Sequence, residues 1–403
     1  MKRHRLAESR PAPWLAAYTA VVLGAAGVNV GLSYRQPPHP ALKHAAGPDA
    51  DPPPPGLTAW PFVSIIVPCR NEERNLPNLL PSLLGQSYPA DRYEVIVVDD
   101  QSTDATPGIL AEFAAADSRL RVVTGQPLPE GWKGKPWAMH QGAAVARGEW
   151  LLFTDADTVH APVALASAIY DAVERGVDLF TFAPCMVLSS PGERLIMPIV
   201  VLGISTFYHP IFVNNPRNPT AIANGQYILV RRAVYDAVGG IDTVRDAIGE
   251  DLEFGKLVKR SGYRLWLTNG QDLMRVRMYQ NFAEVWEGWR KNVLLSMRKQ
   301  PVMGVMQLGS LFIGGILPFV LFAFYLQATL RHRATGQNLA LSSIQVAALI
   351  AMKRRVDQLL DLPVGWAVTF PVGIALFTLI LLDSLRRLIS GEGVTWKGRA
   401  YTR

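Results

Sequence analysis

Two carboxylates one residue apart end the apolar run that begins at Leu151, where the chain reads LLFTDAD up to Asp157. The run predicts a buried strand, so that Asp155 and Asp157 lie just beyond its end. A hard divalent cation takes oxygen ligands and is often held by one or two carboxylates together with substrate phosphates. The pair is therefore a candidate site for a divalent cation. A strand-end turn or a helix N-cap is the alternative, because aspartate favours both positions.

Two more acidic pairs stand at the borders of predicted elements. Asp99 and Asp100 follow an apolar run and begin the sequence DDQSTD. Glu250 and Asp251 precede a segment with a helical pattern. A plain turn also explains the first pair, and capping explains the second, because acidic residues are favoured at a helix N-terminus.

Apolar runs alternate with helical patterns through the middle of the chain. Such strands, apolar on both faces, indicate an α/β fold with a parallel sheet and helices on both sides. Ligands bind beyond the carboxyl ends of the strands in these sheets, where the acidic pairs after strands lie. The predicted strands cover residues 63–68, 94–98, 120–123, 151–154, 178–182 and 227–230, and the predicted helices cover 75–84, a segment ending near 116, 138–146, 163–174, 251–260 and 280–297.

The composition favours a membrane protein. Hydrophobic residues make up 49% of the 403 residues, and the mean hydropathy is +0.14, which is high for a soluble chain. The net charge of +7 would suit nucleic acid or an anionic membrane surface, and the hydropathy favours the membrane, with no nucleic acid partner. The two cysteines, Cys69 and Cys185, argue against a disulfide framework and against a zinc site.

Long uncharged runs predict membrane helices at both ends of the chain. The run from Trp14 to Leu32 is long enough to span a bilayer, and a cleaved signal peptide is the alternative. Residues 303–330 and 364–382 are predicted spans, 339–352 is expected not to cross, and 195–213 is expected to be a core or surface-lying helix because prolines interrupt it. The predicted domains are an anchor at 1–35, a Pro-rich linker at 36–60, a catalytic domain at 61–300, transmembrane helices at 301–385 and a basic tail at 386–403.

Taken together, the order and spacing of these motifs resemble family 2 glycosyltransferases with the GT-A fold. The resemblance covers roughly residues 63–292, more than half of the chain. Besides the acidic pairs, it includes Pro68 with Asn71-Glu72, the Gly134-Lys135 pair, and Asn224-Gly225-Gln226 before a predicted strand. It implies a Rossmann-like, mostly parallel sheet with helices on both faces, to which transmembrane helices are added.

The resemblance also implies roles for residues at the nucleotide. Asp99 or Asp100 is expected to accept a hydrogen bond from the uracil ring of a UDP-sugar donor. Pro68, Asn71 and Glu72 are expected to line the same pocket.

At the reaction centre, the resemblance implies a metal site beside a base. Asp155 and Asp157 are expected to bind Mg²⁺ or Mn²⁺, which bridges the diphosphate of the donor. Asp251, with Glu250 beside it, is expected to remove the proton of the acceptor hydroxyl while the sugar is attacked opposite the leaving diphosphate. The anomeric carbon is then inverted.

Cationic groups are needed as well, because the leaving nucleoside diphosphate develops negative charge. Lys135, Arg290 and Lys291 are candidates for that role, and Gln226 is a further candidate contact of the nucleotide sugar. A solvated lysine and a basic pair at the lipid headgroups are the alternatives for these cations.

One segment departs from a branch of the family. Processive members, such as cellulose and hyaluronan synthases, carry Gln-x-x-Arg-Trp where this chain reads WEGWRKN from Trp286. The arrangement is more similar to the branch that glycosylates membrane lipids, including ceramide, carotenoid and hopanoid-associated transferases. The expected function is transfer of a sugar from a UDP-sugar to a hydroxyl of a lipid or lipid-linked acceptor. A processive polysaccharide synthase and a non-catalytic membrane scaffold are the alternatives.

The expected location is the cell membrane, in a multi-pass protein whose catalytic domain faces the cytoplasm, where nucleotide sugars are found. The basic tail agrees with this orientation under the positive-inside rule. The basic residues between Lys2 and Arg10 oppose it if the first run crosses the bilayer completely.

Overall fold

The computed structural model describes residues 12–33, 53–247, 249–332, 336–396 and 399–401. The basic residues Lys2 to Arg10, most of the expected Pro-rich linker, and Lys397 and Arg403 of the tail lie outside this range.

The described residues form α-helices and strands along the whole chain. The helices are α1 Pro13–Ser33, α2 Leu76–Leu84, α3 Thr106–Ala116, α4 Gly134–Val145, α5 Ala164–Glu174, α6 Pro191–Phe207, α7 Pro210–Val213, α8 Arg232–Ala237, α9 Glu250–Arg260, α10 Phe282–Lys299, α11 Pro301–Leu311, α12 Leu317–Leu330, α13 Gly336–Leu359 and α14 Phe370–Ser390. The strands are β1 Val63–Cys69, β2 Tyr93–Asp99, β3 Leu120–Thr124, β4 Trp150–Phe153, β5 Thr158–His160, β6 Leu179–Met186, β7 Ile228–Arg231, β8 Leu265–Val276, β9 Val394–Trp396 and β10 Arg399–Tyr401.

The chain divides into two compact units. The sheet unit comprises Gln36–Val187 and Phe207–Met278, and the helical unit comprises Met1–Arg35, Leu188–Thr206 and Tyr279–Arg403. The domain boundaries expected at residues 60, 300 and 385 stay predictions.

The sheet unit is built on one sheet with the strand order β3-β2-β1-β4-β7-β6-β8-β5. Strands β1 to β4 run parallel to their neighbours among themselves, and β6 runs parallel to β8. Strand β7 is antiparallel to β4 and β6, and β5 is antiparallel to β8. The predicted α/β sheet is confirmed, and it is mixed because β7 and β5 reverse direction.

The reversal of β7 determines which segments meet at one edge of the sheet. In the register of β4 with β7, Phe153 pairs with Ile228. The residues that follow β4 and the residues that precede β7 therefore emerge at the same edge. Cys69 and Asp99, which pair at the carboxyl ends of β1 and β2, end at this edge too.

Helices cover both faces of the sheet because successive side chains of a strand point to opposite sides. Ile65 packs in one core with residues of α2 and α5, whereas its neighbour Ile66 packs in a second core with residues of α4 and α9. Helix α4 lies very close to the sheet, since a Cβ added at Gly142 would be 2.5 Å from Cγ2 of Ile66. This close approach brings the first turn of α4 to the edge of the sheet at which β1, β2 and β4 end.

The helical unit contains most residues of the long apolar helices. Four segments are long and apolar enough to cross a bilayer: Pro13–Ser33, Pro191–Val213, Pro301–Leu330 and Val364–Ser390. Three of them correspond to the predicted anchor and the two predicted C-terminal spans. The segment at 191–213, expected to be a core or surface-lying helix, also meets the length and apolarity of a span.

Helix α13 has a different composition, with charged residues in its second half. Lys353 and Asp357, one turn apart, form an ion pair with Nζ to Oδ1 at 2.7 Å, and their side chains are 1% and 0% exposed. Gln345 of the same helix donates a hydrogen bond to Oγ1 of Thr19 on α1 at 2.7 Å. Helix α13 therefore contributes paired polar groups to the interior of the helical unit.

Candidate active site

The loops after β1 and β2 hold the residues expected at the nucleotide. Oδ1 of Asp99 accepts a hydrogen bond from the N–H of Ser102 at 3.1 Å, and its carbonyl accepts one from the N–H of Gly125 at 2.8 Å. The N–H of Asp100 donates to the carbonyl of Cys69 at 2.7 Å. Asp99 and Asp100 are both buried, so they do not lie in a solvent-exposed turn.

The loop after β1 is locked to the loop after β2 through Asn71. This residue has a φ of 54°, in the left-handed region that asparagine tolerates better than most residues. Its Oδ1 accepts from the N–H of Thr103 at 2.8 Å, and its own N–H donates to Oγ of Ser102 at 2.9 Å. The N–H of Glu72 donates to Oγ1 of Thr106 at 2.9 Å. Asn71 and Glu72 thus lie beside the Asp99 loop.

Pro68 lies in β1, one residue before the end of the strand. It pairs in register with Val98 near the carboxyl ends of β1 and β2. The residues expected to line one pocket therefore share one corner of the sheet edge.

Lys135 joins the expected metal site to the expected base. Its Nζ lies 2.7 Å from Oδ1 of Asp155 and 3.1 Å from Oε1 of Glu250. Burial alone would lower the pKa of Lys135, but the charges of Asp155, Glu250 and Asp251 raise it well above its ordinary value. The side chain is therefore a permanent cation, surrounded by carboxylates from two different elements.

Asp251 lies in the first turn of α9, after Gly249, and two backbone groups fix its carboxylate. Oδ2 accepts from the N–H of Gly225 at 3.0 Å, and Oδ1 accepts from the N–H of Leu252 at 2.7 Å. Burial and the neighbouring Glu250 raise the pKa of Asp251 to about 6, although Lys135 and the two backbone donors act in the opposite direction. A carboxylate with such a pKa can accept a proton near neutral pH.

Gly225 allows these groups to come together. A Cβ at this position would lie 2.9 Å from Oδ2 of Asp251 and 3.1 Å from Nζ of Lys135. Gln226, its neighbour, is buried, and its Oε1 accepts a 3.4 Å hydrogen bond from the side chain of Asn224. The segment Asn224-Gly225-Gln226 therefore lies against the side chains of Asp251 and Lys135.

Asp155 and Asp157 supply two carboxylates at the end of β4. No group of three or more His, Cys, Asp or Glu side chains that could hold a metal ion occurs in the part of the chain that the structure describes. Magnesium is usually held by one or two carboxylates, with water and substrate phosphates completing its coordination. The oxygen donors present thus fit a divalent cation that binds together with a phosphorylated substrate.

A buried polar cluster that was not predicted from the sequence lies next to this pair. It consists of Thr154, Thr158 and His160, with Nε2 of His160 lying 3.1 Å from the hydroxyl of each threonine. A signal was present, because Thr158 and His160 alternate with an apolar residue immediately after the two aspartates.

Arg290 and Lys291 belong to α10 of the helical unit. Nη1 of Arg290 lies 3.5 Å from Oδ2 of Asp383 on α14, and Arg387 contacts the same carboxylate at 3.4 Å. In the helical unit Arg290 thus has a carboxylate partner. The expected contact of Arg290 and Lys291 with the donor stays a prediction.

Comparison with known proteins defines the class. Residues 64–239 match the family model described as glycosyl transferase family 2. A solved structure, the mannosyltransferase PcManGT from Pyrobaculum calidifontis in complex with GDP-Man and Mn²⁺, matches with a TM-score of 0.52 and 18% identity, covering 93% of this chain and 97% of that one. Residues 64–239 are thus similar to a family 2 glycosyltransferase domain, and the fold resembles that of a GT-A enzyme, as predicted.

More specific relatives are found among bacterial glycosyltransferases. The 4,4'-diaponeurosporenoate glycosyltransferase of Staphylococcus haemolyticus (strain JCSC1435) is 28% identical over 350 residues, which is 84% of this chain and 88% of that protein. The enzyme of the same name from Staphylococcus aureus (strain MRSA252) is also 28% identical, over 354 residues. The similarity thus extends well beyond the matched domain.

Proposed function

We propose that this protein is a membrane-bound, metal-dependent, inverting glycosyltransferase that moves a sugar from a UDP-sugar to a lipid or lipid-linked acceptor. The observation that carries the proposal is the position of the Lys135 ammonium group between Asp155 and Glu250. This contact brings a metal-type carboxylate pair and a base-type carboxylate pair to one edge of the sheet.

Each group at this edge has a part in the proposed reaction. Asp155 and Asp157 would hold Mg²⁺ or Mn²⁺, which supplies Lewis-acid stabilisation of the leaving diphosphate. Lys135 adds a fixed positive charge to the same oxygens. Asp251 accepts the proton of the attacking hydroxyl, and burial, together with Glu250 beside it, raises the pKa of Asp251 to about 6. Attack from the face opposite the diphosphate inverts the anomeric carbon.

The loops after β1 and β2 are proposed to bind the uridine of the donor. An ionised carboxylate can accept several hydrogen bonds, so Asp99 can keep its bond from Ser102 and still accept one from uracil N–H. Asp100, Pro68, Asn71, Glu72 and Gln226 are the proposed neighbours. The solved mannosyltransferase has GDP-Man bound, which makes a GDP-sugar the donor to test against UDP-sugars.

The acceptor is proposed to be an apolar lipid. Four candidate membrane spans support it, and the relatives named for diaponeurosporenoate support a long polyene acid as one example. The names of those relatives indicate a carboxylate acceptor, which has no proton to lose at neutral pH. A hydroxyl acceptor does need a base. Asp251 and its raised pKa favour the hydroxyl, and the two acceptor types can be separated by experiment.

The decisive experiment offers the purified protein in detergent a panel of UDP-sugars and GDP-mannose, with total membrane lipids as acceptors and mass spectrometry as the readout. We expect one sugar to be added to a lipid from a UDP-sugar, and EDTA to abolish the reaction until Mg²⁺ or Mn²⁺ is restored. A ladder of long products would indicate a processive synthase instead. Failure to bind both UDP and Mn²⁺ in calorimetry would indicate a scaffold that has kept the fold.

The catalytic domain is proposed to face the cytoplasm, where UDP-sugars are present. Cysteine labelling in intact and opened cells tests this orientation. A cysteine is introduced at the exposed residue Val122 of the sheet unit. Modification by an impermeant maleimide only after the cells are opened would support the proposed orientation. Modification in intact cells would contradict it.

A further inference from the structure

The polar cluster of Thr154, Thr158 and His160 is buried under the loop that carries Asp155 and Asp157. All three side chains are at most 5% exposed. Nε2 of His160 is 3.1 Å from both threonine hydroxyls, which are themselves 3.2 Å apart. Strand β5 creates this arrangement, because alternation places Thr158 and His160 on its buried side and Val159 on its exposed side.

The hydrogen bonds of the two threonines determine which atom of the cluster carries the shared proton. A carbonyl oxygen can only accept, and a hydroxyl has one proton to donate. The hydroxyl of Thr154 donates to the carbonyl of Gln226 at 2.8 Å, and the hydroxyl of Thr158 donates to the carbonyl of Asp155 at 2.8 Å. Each hydroxyl has then used its only proton, so both hydroxyl oxygens can only accept a hydrogen bond from Nε2 of His160. Nε2 must therefore carry the proton of the imidazole ring.

We propose that His160 is a positioning residue, held as the neutral tautomer with its proton on Nε2, and that it fixes both threonines so that they hold the Asp155 loop and the Gln226 segment together. A proton on Nδ1 instead would leave three acceptors facing one another in the buried cluster. Burial lowers the pKa of His160 to about 3, so the ring stays neutral over the physiological range.

The cluster connects the two halves of the proposed reaction centre. From His160, one branch passes through Thr158 to the backbone of Asp155, in the metal-type pair. The other branch passes through Thr154 to the carbonyl of Gln226, whose neighbour Gly225 donates to the carboxylate of Asp251. Loss of the His160 donor should therefore loosen the metal-type pair relative to the base. This part of the inference rests on the proposed function.

A spectroscopic experiment tests the tautomer without relying on catalysis. We expect the ¹⁵N spectrum of histidine-labelled protein in lipid to contain the signals of one imidazole ring that is protonated on Nε2 and unprotonated on Nδ1 from pH 5 to 8. These signals are assigned to His160 by their loss in His160→Gln. A ring protonated on Nδ1, or a ring that becomes doubly protonated in this range, would overturn the proposal.

A second experiment tests positioning with a matched set of variants. His160→Leu removes the donor, whereas His160→Gln keeps an N–H donor on a side chain of similar length. Ser82→Ala serves as the control, because Oγ of Ser82 accepts from the backbone N–H of His160 at 3.1 Å but does not contact the threonines. The readout is Mn²⁺ affinity in the presence of UDP, measured by electron paramagnetic resonance, which needs no turnover.

We expect His160→Leu to weaken Mn²⁺ binding by about 10- to 100-fold, as changes to outer-shell partners of metal ligands usually do. His160→Gln should recover most of the affinity, and Ser82→Ala should change it less than threefold. Equal Mn²⁺ affinity in all three variants, with only the unfolding temperature lowered in His160→Leu, would overturn the positioning role. If the unmodified protein binds no Mn²⁺ with UDP, the proposed function fails, and the ¹⁵N spectrum alone then decides whether the cluster is built as proposed.

Discussion

Lys135 in the sheet unit and Lys353 in the helical unit are both cations held against carboxylates, but their surroundings differ. Lys353 has one partner, Asp357, one turn away on the same helix, and both are almost fully buried. Lys135 lies near Asp155, in the loop after β4, and near Glu250 and Asp251 of α9, which gives three negative charges against one positive charge, a net of −2. One pair is balanced, and the other cluster is not.

The difference indicates what each group is for. In a balanced buried pair each charge is neutralised by its partner, and no further ion is needed. The role of the Lys353–Asp357 pair is therefore in the structure of α13. An excess of negative charge at a sheet edge is costly unless a cation or a proton is accepted there, and perturbed groups of this kind are concentrated at functional sites. Burial, and after it the negative charge of Glu250, raises the pKa of Asp251 in this cluster.

The largest expected effect comes from removing the base. Asp251→Asn keeps the shape of the side chain but cannot take a proton, so transfer to a hydroxyl acceptor should fall by about 10²- to 10⁴-fold in kcat. Transfer to a carboxylate acceptor should fall much less, because no proton is removed. Rates with a matched pair of lipid acceptors, one alcohol and one acid, check this.

Glu253→Gln is the control for that experiment. Glu253 lies on the same helix but pairs with Lys256 at 3.1 Å, away from Lys135, and should change the rate less than threefold. Full activity of Asp251→Asn on an alcohol would show that the base has been assigned wrongly.

Removing the central cation should have the next largest effect. Lys135→Met leaves three carboxylates without their shared cation and removes the positive charge that stabilises the leaving diphosphate. The value of kcat should therefore fall by about 10²- to 10³-fold, as when one stabilising donor is lost from a transition state. Steady-state rates with saturating Mn²⁺ measure the loss. Lys256→Met, in the surface pair with Glu253, should behave like the unmodified protein; an equal loss in both variants would argue against a special role of Lys135.

The pH dependence should follow Asp251. Its pKa is raised to about 6, and only the deprotonated form can act as a base, so kcat/KM should be constant above that value and fall about tenfold per pH unit below it. A pH–rate profile with an alcohol acceptor between pH 4.5 and 8 checks the sign and the position. A rate that rises as the pH falls through 6 would contradict the assignment of Asp251 as base.

The smallest effect on catalysis is expected in the balanced pair. Lys353→Met should leave the rate of the folded enzyme within about twofold, but breaking a buried pair on one side destabilises by about 3–5 kcal/mol. The midpoint of thermal unfolding in detergent should fall accordingly. Replacing both partners, in Lys353→Met with Asp357→Leu, should recover much of the loss, and a drop in kcat in the double variant would contradict a purely structural role.

Much of the fold could be predicted from the sequence, because β1, β2 and β4 are apolar on both faces and end in polar residues. Strands β5 and β8 could not be recognised in the same way. Strand β5 has only three residues and mixes polar with apolar side chains, and β8 contains Asn269, Gly270 and Asp272. Their place in the sheet comes from tertiary pairing, which overrides local pattern.

The site was predictable as a set of residues but not as an arrangement. The spacing of Asp155, Asp157 and Asp251 pointed to a metal and a base, whereas the contacts of Lys135 depend on the close approach of α4 to the sheet and on the reversed direction of β7. Arg290 shows the same limit, since no local pattern on α10 indicates its partner Asp383, 93 residues later in the chain.

Gly225 separates the contribution of space from that of charge. The residue lies outside the left-handed region, so its backbone would accept alanine, and the atoms nearest to an added methyl group belong to the side chains of Asp251 and Lys135. Gly225→Ala is thus a purely steric variant in which every ionisable group is retained. The added methyl group would displace the side chains of Asp251 and Lys135 by a few tenths of an ångström. The rate of this variant therefore measures how precisely these two side chains must be placed.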